Sequence, residues 1–98
     1  MLTKFEKELE FVQLLCNPYY LQYLYQKGYF EDSEFRRFLR YLEYWKEKPY
    51  SNFLIYPQSL IILDALNNNE EFINKLDDEK ILEFVEEQLR FYWLHKNQ

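Results

Sequence analysis

Apolar residues recur along this chain at helical spacing, three or four apart, and nowhere in a sustained alternation. Phe5, Leu9, Val12 and Cys16, widened by Phe11, Leu14 and Leu15, predict a first helix over 3–16. Asn17-Pro18 closes it and opens a second helix over 18–27. Asn is a good N-cap, and Pro at the first helical position gives up only an N–H that would have no partner there. Leu21 and Leu24 face inward on that helix, flanked by Tyr20 and Tyr25. Gly28, the one glycine, follows where a left-handed C-terminal cap is expected. Asp32 or Ser33 then caps a third helix running to Trp45 or Lys46. Its inner face is Phe35, Phe38, Leu39 and Leu42, with Arg37, Tyr41 and Tyr44 as the adjacent stripe.

Pro49 opens a short turn through Phe53 and Leu54, and Pro57 starts a fourth, longer helix carrying Leu60, Ile61, Leu63 and Leu66. Asn67, Asn68 and Asn69 form a polar break. Phe72, Ile73 and Leu76 mark another short helical piece. Asp77 or Asp78 caps a terminal helix on which Ile81, Leu82, Val85, Leu89, Tyr92 and Trp93 share one face. Stripes this short bury themselves only against each other. The expectation is an all-α fold, a compact helical bundle with four main helices plus short helical pieces, forming a single domain over 1–98. Its expected core is Phe5, Leu9, Val12, Leu21, Leu24, Phe35, Phe38, Leu39, Leu42, Leu60, Leu63, Val85 and Leu89.

Composition sharpens this picture at one point. Phe 9, Tyr 10 and Trp 2 stand against a single Gly and three Pro in 98 residues, which excludes collagen-like, low-complexity and disordered classes. Ten phenol hydroxyls each need a partner or water, so many tyrosines belong at the rim of the core or on a binding surface. The net charge of -5 argues against a general nucleic-acid footprint. Arg36, Arg37 and Arg40, next to Tyr41 and Tyr44, are the local exception; arginines interleaved with aromatics can stack single-stranded bases.

Other chemistry is sparse. Cys16 is the only cysteine, read as a small buried hydrophobe, and it leaves no intramolecular disulfide. His95, the only histidine, is far from it, so neither a tetrahedral zinc site nor a Cys/His nucleophile pair is available. Glu6 and Glu10, and Glu79, Glu83, Glu86 and Glu87, recur at helical spacings that normally face water. Leu60 to Leu63 is the longest apolar run, too short for a membrane span, and no secretory signal is recognised. With no P-loop, dinucleotide glycine pattern or EF-hand loop, the expectation is a soluble, intracellular, non-enzymatic chain without cofactor or metal.

The surplus tyrosines, Tyr19, Tyr20, Tyr23, Tyr25, Tyr29, Tyr41, Tyr44, Tyr50 and Tyr56, gather with Trp45 at helix junctions. They either cap the ends of the bundle or form a groove for an extended, proline-rich partner. Polyproline II ligands present flat pyrrolidine faces and unpaired carbonyls, which aromatic ridges with hydroxyl donors match.

The serial motifs are specific. ELEFVQ at Glu8 to Gln13, NPYYLQYL at Asn17 to Leu24, KGYF at Lys27 to Phe30 and FRRFLRYLEYWK at Phe35 to Lys46 are followed by Pro49-Tyr50 and by YPQSL at Tyr56 to Leu60. The series resembles the subunit 31 family of the Mediator complex, closely over residues 5–66 and more weakly from Phe72 to Trp93. The resemblance implies a helical bundle in the nuclear Mediator coactivator of RNA polymerase II transcription. It places that bundle in the middle module, among the other middle-module subunits, bound by the proline-rich N-terminal segment of subunit 7. It also implies no catalysis, no cofactor, no small-molecule substrate, no membrane and no direct contact with nucleic acid. Taken with the groove argument, it makes Tyr20, Tyr29, Tyr41, Tyr44, Trp45, Tyr50 and Tyr56 the candidate partner-binding residues, with Arg37 donating to ligand carbonyls. The alternative reading is a single-strand nucleic-acid module built on Arg36, Arg37, Arg40 and the tyrosine face. Two departures stand out: Ser59 replaces a common Cys, and the stretch after Leu66 lacks the family's Phe-Arg pairing. The basic or glutamine-rich tails of some relatives are missing too, which suggests a minimal core version.

Overall fold

All but one of the α-helices begin where a side chain accepts from the free backbone donors; the exception is the helix that opens at Ser59. In the computed structural model, which describes the backbone of residues 1–96 and the side chains of 1–88, 90 and 91, Thr3 and Glu6 form a reciprocal capping box for α1 (Lys4–Leu14). Asn17 Oδ1 accepts from the amides of Tyr19 and Tyr20 at the start of α2 (Pro18–Gln26). Gly28 takes φ 79°, stops the helix and leads into a 3-10 turn, Tyr29–Glu31. Asp32 caps α3 (Ser33–Tyr41). Two further 3-10 turns, Leu42–Lys46 and Tyr50–Phe53, connect to α4 (Ser59–Asn68). Asn69 caps the short α5 (Glu70–Asn74), and Asp78 accepts from Lys80 N at the start of α6 (Glu79–Lys96). The described residues contain no strand.

The first two helices, the Gly28 cap and the Pro49 turn follow the sequence expectation to within two residues. The third helix does not. Its α-helical winding ends at Tyr41, and the expected last turn is the 3-10 segment Leu42–Lys46. The reason lies in the side chains to be buried. A 3-10 turn aligns residues i and i+3, whereas an α-helix would swing the second by roughly 60°. Leu42 and Trp45 therefore point the same way, and both are fully buried. The same alignment puts Glu43 beside Lys46, whose ammonium it pairs with at 2.5 Å.

Pro57 and Gln58 form a turn ahead of α4, so that helix begins two residues later than expected. The triple Asn is not one break: α4 runs through Asn67 and Asn68. Asn67 Nδ2 donates to Leu39 O and to Glu43 Oε1, stitching α4 to the end of α3 and the turn after it, and Asn69 alone is the boundary.

One apolar cluster joins the elements, with Val12, Leu15, Leu21, Leu24, Leu39, Leu42, Trp45, Ile62, Leu63, Leu66, Leu76 and Val85 at its centre. Phe5, Leu9, Phe35, Phe38 and Leu60, expected in the core, are half-buried and pack around it. The side chains of Leu89, Tyr92, Trp93 and His95 lie outside the described residues. Cys16 is buried, as its place on the apolar face requires. No helix of the described residues is long and apolar enough to cross a membrane.

Candidate partner groove

The 3-10 winding after α3 decides where the aromatic stripe goes. With Leu42 and Trp45 turned inward, Tyr41 and Tyr44 align on the outer side, again at i and i+3. The turn after Pro49 brings Tyr50 against them, and α1 closes the other side with Lys4, Phe5 and Glu8. These six residues line an open groove of about 440 Å³. Tyr44 and Tyr50 meet edge to face, with centroids 4.9 Å apart and planes at 87°. Trp45 lies beneath both, 5.1 Å from Tyr44 and 5.9 Å from Tyr50, with Phe5 5.2 Å away on its other side. The Lys4 ammonium sits 5.5 Å from the centre of the Tyr41 ring, close enough for a cation–π contact.

Glu8 organises this groove, and helical spacing gave no sign of it. The side chain points off the solvent face of α1 and is only 6 % exposed. Tyr44 Oη donates to one carboxylate oxygen at 2.5 Å, and Tyr41 Oη donates to the other at 3.3 Å. A carboxylate can be buried when hydrogen bonds replace its water, and two phenols do so here. Burial, followed by the hydrogen bond to Glu8 and its negative charge, raises the Tyr44 phenol well above the ordinary tyrosine range. Each phenol has one O–H, and on Tyr41 and Tyr44 that proton is committed to Glu8. Toward a ligand these two oxygens are acceptors.

The remaining expected site residues divide three ways. Tyr20 and Tyr29 belong to a closed circuit of rings, Phe11, Tyr20, Tyr23, Tyr29 and Phe35, with successive centroids 5.2–6.4 Å apart. Phe38 connects this circuit to the groove, 5.3 Å from Phe11 and 6.1 Å from Tyr41. One continuous aromatic surface thus runs from Tyr20 to Tyr50. Arg37 is 75 % exposed one turn before Tyr41, within reach of Glu34 at 3.3 Å. Tyr56 stands apart, in a cavity between the α1–α2 junction and α6.

Two expectations need correcting. Trp45 is 0 % exposed and packs beneath Tyr44 and Tyr50 without lining the groove, so it offers a partner no surface there. The arginine face is also divided. Arg36 makes a bidentate pair with Glu70 at 2.6 and 2.8 Å, and its Nε donates to Phe30 O, which leaves Arg37 and Arg40 as the exposed members. Among the described residues no group of three His, Cys, Asp or Glu could hold a metal ion.

Comparison with known proteins adds to this geometry. The Med31 family model, described as SOH1, matches residues 2–97. The chain is 44 % identical over 94 residues to "Mediator of RNA polymerase II transcription subunit 31" of Schizosaccharomyces pombe, covering 96 % of this chain and 67 % of that protein. The protein of the same name from Danio rerio is 44 % identical over 92 residues, covering 94 % and 67 %. That from Caenorhabditis elegans is 43 % identical over 91 residues, covering 93 % and 51 %. The chain spans between half and two thirds of the length of these curated relatives.

Proposed function

Because the chain belongs to the Med31 (SOH1) family, we propose that it is a non-catalytic subunit of the Mediator complex, acting in the nucleus in RNA polymerase II transcription. Within that complex it holds the proline-rich N-terminal segment of Mediator subunit 7 on the aromatic surface described above and contacts other subunits of the middle module. The observation that carries this reading is the groove of crossed rings at Tyr41, Tyr44 and Tyr50, laid over a buried Trp45 and held by Glu8. A polyproline II chain loses little conformational freedom on binding and offers flat rings to pack against aromatic faces. Its carbonyls need donors, which Tyr50, Lys4 and Arg37 supply. Glu8 freezes Tyr41 and Tyr44 beforehand, so less side-chain entropy is lost when the ligand docks.

Titrating the protein with a proline-rich peptide from subunit 7, followed by intrinsic fluorescence, tests the proposal. We expect saturable binding that weakens about tenfold in Tyr50→Ala, consistent with loss of an interfacial aromatic anchor. Salt-sensitive binding to a single-stranded oligonucleotide, without response to the peptide, would overturn it. Arg36, engaged by Glu70 and Phe30, weakens that alternative beforehand.

A further inference from the structure

A second face of the molecule combines an apolar hollow with a run of acidic side chains. The hollow, about 390 Å³, is walled by Leu14, Cys16, Pro18, Tyr19, Tyr56 and Glu86, among others. It shares Pro18, Tyr19 and Glu86 with a cavity of about 470 Å³ between α2 and α6, to which Asp77, Glu79 and Glu83 also contribute. Tyr19 stands on the divide, 71 % exposed, and Leu14 is also exposed. An exposed ring and leucine beside an apolar hollow are what a partner's side chain would cover.

Glu79, Glu83 and Glu86 fall at helical spacing on α6, with Asp77 just before it. Among the described residues the ion pairs involve Arg36, Arg37 and Lys46, and none reaches these four acids. Arg90, one turn beyond Glu86, makes no ion pair with it, and Lys80 follows Glu79 without pairing. The first amides of α2 are already satisfied by Asn17, so they do not serve these carboxylates. Gln22 and Gln26 both donate to Asp77 Oδ1, which fixes its position without neutralising it.

We infer that this α2–α6 face docks a short basic segment of a partner protein, in which one bulky apolar side chain enters the Leu14–Tyr19–Tyr56 hollow and neighbouring Lys or Arg side chains lie along Asp77, Glu79, Glu83 and Glu86. The occupant is assigned by complementarity. The hollow demands an apolar anchor, and the four carboxylates in it and in the adjoining cavity, none of them in an ion pair among the described residues, favour cations and repel a second copy of this acidic chain. The site is separate from the aromatic groove and shares no lining residue with it.

The test uses the whole chain and a panel of fluorescein-labelled peptides. In each, a single Leu, Phe or Trp precedes a run of Lys and Arg at varied glycine spacing. Matched peptides lack the apolar residue, or carry Glu in place of the cations. Anisotropy should show the anchored basic peptides binding about tenfold more tightly than the anchorless ones. The double variant Glu83→Lys/Glu86→Lys should weaken them about tenfold more, with Glu83→Gln/Glu86→Gln intermediate. Circular dichroism confirms that the variants fold, since both positions are exposed. Tyr19→Ala should also weaken binding, whereas Tyr50→Ala, which damages the aromatic groove, should not. The inference is overturned if no anchored basic peptide outbinds its anchorless or acidic counterpart. It is equally overturned if charge reversal leaves binding unchanged, or if the face self-associates and the peptides do not compete.

Discussion

Single residues carry much of this architecture. Gly28 adopts φ 79°, and a Cβ there would find only Glu31 Oε2, 4.0 Å away. The cost of a side chain is therefore conformational and not steric. Gly28→Ala should lose about 1 kcal/mol, and Gly28→Asn less, because Asn tolerates the left-handed region better; urea unfolding would measure both. Cys16 is pushed up to about 12 by burial. The folded state holds that proton more tightly than the unfolded chain, whose thiol titrates near ~8.5. Its stabilising share is thus complete below ~8.5 and fades as pH climbs toward about 12. The phenol of Tyr44, also raised, acts in the same direction above ~10. Thermal unfolding across alkaline pH should show this decline, with a shallower slope in Tyr44→Phe. At neutral pH the native thiol should resist alkylation that the unfolded chain accepts readily.

At the scale of elements, the 3-10 turn Leu42–Lys46 is the decisive piece, since it sends Trp45 inward and Tyr44 outward. Trp45→Ala should cost about 3–5 kcal/mol by leaving a cavity among Phe5, Tyr44 and Tyr50, whereas Tyr41→Ala, on the exposed side, should cost less, about 1–2 kcal/mol, through loss of one of the two phenols that hydrogen-bond the Glu8 carboxylate. Chemical denaturation of both variants separates buried ring from rim. Apolar periodicity shows that a helix covers Phe35 to Leu42, but it cannot say how the next turn winds. Leu42 is inward at either period, and only the packing of the Trp45 indole selects one. The caps at Asn17, Asp32 and Asp78 were readable because they act within three residues. Glu8 was not: its phenol partner on Tyr44 is 36 residues away, and along α1 it looks like any solvated acid.

For the molecule as a whole, polar staples between distant segments supplement the apolar cluster. Arg36 holds Glu70 and so ties α3 to α5, while Lys46 links the turn after α3 to Asp64 on α4. Gln13 Oε1 accepts from Ile55 N, bringing the loop before α4 against α1. The partner cations hold the Glu70 and Asp64 carboxyls below their ordinary range. Their contribution is present above ~4.3 and ~3.9 respectively, and is lost as pH falls through the lowered folded values. Glu70→Gln should therefore flatten the acid limb of the stability profile in urea melts across low pH. These staples were invisible in the sequence, because opposite charges are plentiful and spacing along the chain does not choose among them. The aromatic pattern was legible in part: the rings from Tyr20 to Tyr50 form one connected face, whereas Tyr56 lies in a separate hollow. Which ring lies underneath and which on top was settled only by tertiary packing.

The unbroken run of rings from Tyr20 to Tyr50 ends on a single fully enclosed indole. Tyrosine emission overlaps tryptophan absorption, so light absorbed along that surface is passed toward Trp45 by dipole coupling. The face acts as an antenna with its collector placed directly beneath the groove. In a Trp93→Phe background, emission excited through tyrosine would report on the groove without any attached dye. A ligand that displaced even one of the outer rings would change how much of that light reaches the indole.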